Sequence, residues 1–179
     1  ENKMNGLLYK AVSGQISPKK YRKIFPSYDW DEDVWRVNQI VNLPKIVGRE
    51  DMGFMKNVPN EEVKRSDAAI RKWIDDHLYG CSCLVIFVGE KTYQSRWVKY
   101  EIEEAGKQRM GRLLVSLEGM KNKKGIPSLG GQDPFAANGL YAPVGTPNTY
   151  TVYSYRWIAD DGLNNIGSWI DDACQRIGR

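Results

Sequence analysis

Histidine occurs once in this 179-residue chain, at position 77, and cysteine three times. Those scarcities remove whole chemistries. A Ser-His-Asp or Cys-His triad would have to use His77, which falls on a stretch read as a core helix. Cys81, Cys83 and Cys174 cannot pair completely and set up no disulfide framework. His77, Cys81 and Cys83 resemble a metal trio, but no fourth Cys or His at finger-like spacing completes it. Buried structural thiols and no metal are therefore expected. No P-loop is present, and no GxGxxG follows a strand-like run; Leu129-Gly130-Gly131 sits in a loop instead. The longest apolar run, Leu84–Val88, has the length of a strand rather than a membrane span. The first residues lack the charged-then-apolar layout of a signal peptide, so the cytoplasm is the expected compartment.

What is present fits a soluble globular domain: 41% hydrophobic and 27% charged residues, in a length that suits one sizeable core. The net charge is +4, gathered in PKKYRK (18–23) and KNKK (121–124). Both runs read as solvated loops. No zinc-finger or RNA-binding signature accompanies them, and nucleic acid is not an expected partner.

Residues 1–21 read as an N-terminal extension and 22–179 as a single domain. The first strand is read in YRKIFPSYD, around Ile24, Phe25 and Tyr28, with Pro26 limiting its pairing on one side. DWDED then opens a helix, its acids placed where the helix dipole welcomes them, and Val34, Val37, Ile40 and Val41 follow at helical spacing. Residues 43–60 are irregular, with KIVG (45–48) as a short strand. A second helix is expected from Asn60 to Gly80, burying Val63, Ile70, Trp73 and Ile74. CLVIFV is apolar at every position, as in a strand covered on both faces. Ser95 caps a third helix that buries Val98, Ile102 and Ala105. RLLVSL (112–117) is the next strand. A long loop rich in Gly, Pro and Asn follows, at about 121–149, and TVYSYRWI (151–158) forms the last strand. The final helix is expected to bury Leu163, Ile166, Trp169, Ile170, Ala173 and Ile177.

Strands alternating with helices predict an α/β fold with a mainly parallel central sheet between helical layers. In such sheets ligands bind at the carboxyl ends of the strands. SYDWDED and GEKTYQSRWVKYE meet at that edge. There Trp97 and Glu101 stand one helical turn apart. Spacing alone leaves two readings open. The indole and carboxylate can flank a ligand with a flat ring and a sugar, or Trp97 packs on a neighbour while Glu101 pairs with Arg96 or Lys107. Asp29, Asp31, Glu32 and Asp33 raise a phosphorelay receiver. That reading needs an Asp at the end of a central strand, where this chain has Gly89-Glu90-Lys91.

Three segments, IFPSYDWDEDVWRVN, SDAAIRKWIDDHLYGCSCLVIFVGEKTYQSRWVKYEIEEA and YRWIADDGLNNIGSWI, resemble the TIR-like proteins of bacterial Thoeris antiphage systems. The resemblance runs from about Ile24 to Ile170, and S-x-W-V-x-Y-E is its most specific element. It implies a flavodoxin-like, TIR-like three-layer sandwich. It implies an enzyme that cleaves NAD as substrate, with no cofactor, and makes a cyclic ADP-ribose-type signal for antiviral defence. A separate effector protein would read that diffusible nucleotide, and TIR domains also self-associate. The residue matching the family's glutamate is Glu101. Phe25, Ser27, Tyr28 and Asp29 match the segment bordering the NAD pocket, and Ser95 and Trp97 match the S-x-W of the glutamate motif. Phe25 and Trp97 serve equally well as core residues. Arg36 and Asn38 resemble a family segment as either ligand contacts or braces. The alternative function is a non-enzymatic interaction module that uses residues 43–60 and 121–149.

Overall fold

In the computed structural model, residues 21–43, 46, 49–55, 58–141 and 151–179 are described. Five strands form one parallel sheet in the order β2-β1-β3-β4-β5. They are β1 (Arg22–Ser27), β2 (Met52–Phe54), β3 (Cys83–Val88), β4 (Gly111–Ser116) and β5 (Tyr153–Arg156). Between and after them lie α1 (Trp30–Val41), α2 (Asp67–Leu78), α3 (Arg96–Lys107), the single turn α4 (Pro134–Ala137) and α5 (Gly162–Gln175). This is the doubly wound order of flavodoxin-like folds, as expected from the sequence.

The period-2 pleat of β3 explains why all six of its residues are buried. Cys83, Val85 and Phe87 pack under α1 and α5, while Leu84, Ile86 and Val88 pack under α2 and α3. Two apolar cores therefore lie back to back across the sheet. The three cysteines are free, buried thiols.

Pro26 acts as expected. Alternate residues of β1 direct their backbone groups to β2, as in Arg22 N–H to Asp51 O and Met55 N–H to Ile24 O. The next position on that side is Pro26, which has no N–H to give, and the β1–β2 pairing stops at Ile24–Phe54. Pairing with β3 continues to Ser27.

Several boundaries differ from expectation. α2 begins at Asp67 rather than Asn60, because Ser66 takes the cap, accepting from Ala69 N–H at 3.0 Å. Val63–Arg65 form a separate 3-10 turn. The short strand is Met52–Phe54; of KIVG (45–48), only Ile46 lies among the described residues, in an isolated bridge to Arg49. Leu163, expected to be buried, lies 44% exposed, because α5 turns Ile166, Ile170 and Cys174 to the sheet. Ile177 falls beyond the end of α5. The strand in YRKIFPSYD runs only over Arg22–Ser27, so Arg22 and Lys23 of the basic run lie in β1 rather than in a loop, and Arg22 pairs with Asp171 at 2.9 Å. The stretch expected as a loop from 121 is built through Tyr141, with bridges Glu118–Ser128 and Lys121–Pro127. Residues 142–150, and residues 1–20 of the expected extension, lie outside the described residues.

Candidate functional site

The pleat of β1 sends Phe25 and Ser27 toward α2 and α3 and Ile24 toward α1. Ser27, the last residue of β1, therefore meets α3 at the carboxyl edge of the sheet. α3 starts where Ser95 Oγ accepts from Val98 N–H at 3.5 Å. From that start, the helical repeat turns Val98, Glu101, Ile102 and Ala105 inward. Glu101 is fully buried, and Ser27 Oγ donates to its Oε2 at 2.5 Å. Its Oε1 is buried and accepts from no group among the described residues.

Burial pushes the Glu101 carboxyl up to about 8, and the Ser27 hydrogen bond pulls against that rise. Tyr28 is 2% exposed, and its phenol is raised by burial and then by the charge of Glu101. A buried carboxyl with one hydroxyl partner and one unused oxygen can accept from ligand hydroxyls. It can also face developing positive charge once ionised.

The other candidates occupy different settings. Phe25 is wholly buried in the core under α2 and α3. Asp29 caps α1, its Oδ1 accepting from Asp31 and Glu32 N–H at 3.1 and 3.2 Å. Ser95 caps α3. Trp97, one turn before Glu101 on α3, packs against the same core but is not itself fully buried. It is half-buried on the flank, with the Arg96 guanidinium 4.5 Å and that of Arg71 5.9 Å from its ring centroid. The ion pairs offered as an alternative for Glu101 do not form either. Arg96 binds Asp67 through both carboxylate oxygens at 2.7 and 2.8 Å, and Lys107 binds Glu104 at 2.5 Å.

Of three further residues at this edge, Trp30 escaped the sequence reading, whereas Asp33 entered it with the receiver reading and Arg36 as a ligand contact or a brace. Trp30 opens α1 with its ring edge-on to Trp73, centroids 5.9 Å apart, and its Nε1–H is buried without an acceptor among the described residues. An aromatic directly after the strand-end SYD was the available signal. Asp33 is 1% exposed and accepts from Arg36 Nη1 at 2.8 Å. Arg36 also donates from Nε to Met120 O at 2.9 Å and from Nη2 to Ile126 O at 3.2 Å. Arg36 thus braces α1 to the segment after β4.

That segment crosses the end of β3. Leu129 N–H donates to Glu90 Oε1 at 3.1 Å, and Asn138 Nδ2 donates to Tyr93 O at 3.0 Å. Gly131 lies so close that a Cβ there would come within 1.9 Å of Gly89 O. A Cβ on Gly89 would in turn come within 1.9 Å of Asp33 Oδ2. Among the described residues, no group of three or more His, Cys, Asp or Glu is placed to hold a metal, and no helix is long and apolar enough to cross a membrane.

Residues 25–122, more than half of the chain, match the family described as Thoeris protein ThsB, TIR-like domain. A Bacillus cereus (strain MSX-D12) protein named "Putative cyclic ADP-D-ribose synthase ThsB1" is 24% identical over 190 residues, covering 84% of this chain and 99% of that one.

Proposed function

Because the chain belongs to the family of Thoeris ThsB TIR-like domains, we propose that it cleaves NAD and makes a cyclic ADP-ribose-type signal in antiviral defence, with Glu101 as the catalytic residue. The observation that carries this reading is the buried Glu101 carboxyl at the strand ends, held by Ser27 on one oxygen and unused on the other. Cleavage breaks the bond between ribose C1′ and the nicotinamide nitrogen. The electron pair leaves with nicotinamide, which departs neutral, so no general acid is needed. The ribose gains oxocarbenium character, as in glycoside hydrolysis. Glu101 then serves as the anion facing that charge and as the acceptor for the ribose hydroxyls. Either adenine nitrogen attacks C1′, or a ribose hydroxyl does so with loss of its proton, and the product is cyclic; attack by water gives hydrolysis instead.

Burial holds Glu101 protonated near neutrality in the unliganded protein. The cationic nicotinamide ring beside it favours the carboxylate, so binding and ionisation support each other. Tyr28, Asp29 and Ser95 are assigned to the substrate edge, and Trp97, on the flank of α3, to the outer part of the dinucleotide. Phe25 is assigned to supporting the pocket from the core. The product is a diffusible nucleotide read by a separate effector, and the compartment is the cytoplasm. Incubation with NAD should release nicotinamide and a cyclic product identifiable by mass spectrometry, and Glu101→Gln should abolish both. A wild-type protein inert even in its assembled, triggered state would sink the reading.

The second reading is an interaction module. Its support is the exposed apolar surface of the segment after β4, where Leu129 is 81% and Ile126 55% exposed. It predicts that Glu101→Gln keeps function in cells while Leu129→Asp destroys it.

A further inference from the structure

Ser27 and Glu101 come together from 74 positions apart, and neither touches solvent. The pairing follows from two periodicities. The strand repeat sends Ser27 to the α3 face, and the helix repeat sends Glu101 to the sheet face. The contact at 2.5 Å is short, in the range of hydroxyl-to-carboxylate bonds. A serine hydroxyl has one proton, and here it is committed to Oε2. Oε1 is left as the acceptor that no described protein group uses.

The surroundings give the carboxylate little other help. Val98, Ile102 and Ala105 flank Glu101 on its own helix, and Phe25, Ile86 and Val88 belong to the same core from the sheet. The titratable group facing it from β1's end is Tyr28, which burial and Glu101 keep neutral. Of the cations on α3, Arg96 and Lys107 are spent on Asp67 and Glu104, and Lys99 lies exposed on the outer face. The Ser27 hydroxyl is the interaction that favours the ionised form against burial.

We propose that Ser27 is the positioning residue of this site: its hydroxyl fixes Oε2 and supports the carboxylate, so that Oε1 is presented to the ligand's ribose, and Ser27 itself makes no contact with NAD. The proposal rests on the NAD-cleaving reading above and replaces the direct substrate contact that the family resemblance implies for Ser27. It assigns Ser27 to the chemical step rather than to substrate capture.

The experiment compares wild type, Ser27→Ala, Ser27→Thr and Glu101→Gln by steady-state NAD cleavage across pH. The infrared carbonyl band of the buried protonated carboxyl, identified by its loss in Glu101→Gln, is titrated in parallel. Ser27→Ala should lower kcat roughly tenfold, the loss expected for one hydrogen bond to a charged group, with KM within about twofold. Its rising pH limb and its infrared midpoint should both move upward, and Ser27→Thr should restore both. If Ser27→Ala does not fold, Ser27→Cys, a weaker donor, should give the same direction of shift. A raised KM with unchanged kcat would show a direct ligand contact and overturn the proposal, as would an unmoved infrared midpoint. A wild type inert to NAD even when assembled and triggered would sink the enzymatic reading by itself, and the Ser27–Glu101 linkage would then stand or fall by the band.

Discussion

Asp33 and Glu101 are both carboxylates buried at the carboxyl edge of the sheet, and each has one oxygen without a hydrogen-bond donor among the described residues. They lie on opposite faces and have opposite company. Asp33, on α1, is paired with Arg36, whose other nitrogens bind Met120 O and Ile126 O. Burial pushes its carboxyl up, and Arg36 pulls it back by hydrogen bond and charge. Glu101, on α3, has a hydroxyl and no cation. An ion pair with three satisfied donors builds a joint between elements. A carboxyl left with one hydroxyl and no cation costs stability and stays available to something that brings its own charge.

Removing each group should break the comparison in a different measurement. The largest effect is on turnover: Glu101→Gln should lower nicotinamide release by at least about 10²-fold, the scale for deleting a preorganised electrostatic group, while Asp33→Asn should leave detectable cleavage. The next is on stability. Arg36→Ala leaves Asp33 buried without its cation and should cost roughly 3–5 kcal/mol, lowering the melting temperature by ~10 °C. If Arg36→Ala melts like wild type, the brace is not carrying the load assigned to it.

The third effect is on the pH dependence of stability. Glu101 titrates near the ordinary glutamate value when unfolded and at about 8 when folded, so between those values the folded state holds more protons. The Glu101 contribution to stability is then highest below about pH 4.5 and falls as pH rises toward 8, by at most ~1.4 kcal/mol per unit. Glu101→Gln removes that slope. It should melt higher than wild type at pH 8 and converge with it near pH 5, by calorimetry. The smallest effect concerns Trp97. Truncation to Ala on the outer flank should raise KM for NAD several-fold, the scale of one peripheral aromatic contact, and leave kcat nearly unchanged.

Much of this was written in the sequence where periodicity is strong. CLVIFV could only be a strand covered twice, and Ser95 with Val98, Ile102 and Ala105 fixed the start and inner face of α3. Met52–Phe54 escaped because three residues show no alternation, and α2 was started early because Asn60 and Ser66 both look like caps; indeed, Asn60 Oδ1 accepts from Val63 N–H at 2.9 Å. The position of Glu101 in its motif was legible, but its complete burial was not. A glutamate one turn from a tryptophan reads as surface, and only the strand-end hydroxyl 74 residues away reveals the inward face. Arg36 was legible as a ligand contact or a brace but not which of the two, since two of its three partners are backbone oxygens that carry no sequence signature.

The close approach at the end of β3 bears on how variation in this protein would be read. Asp33, Gly89 and Gly131 stack with no room for a methyl group at either glycine. A saturation screen for loss of defence will score Gly89 and Gly131 beside Glu101, although neither glycine has a group that can take part in bond breaking. Sorting such a screen by melting temperature separates the two kinds of intolerance: Gly131→Ala should lose fold and function together, and Glu101→Gln function alone.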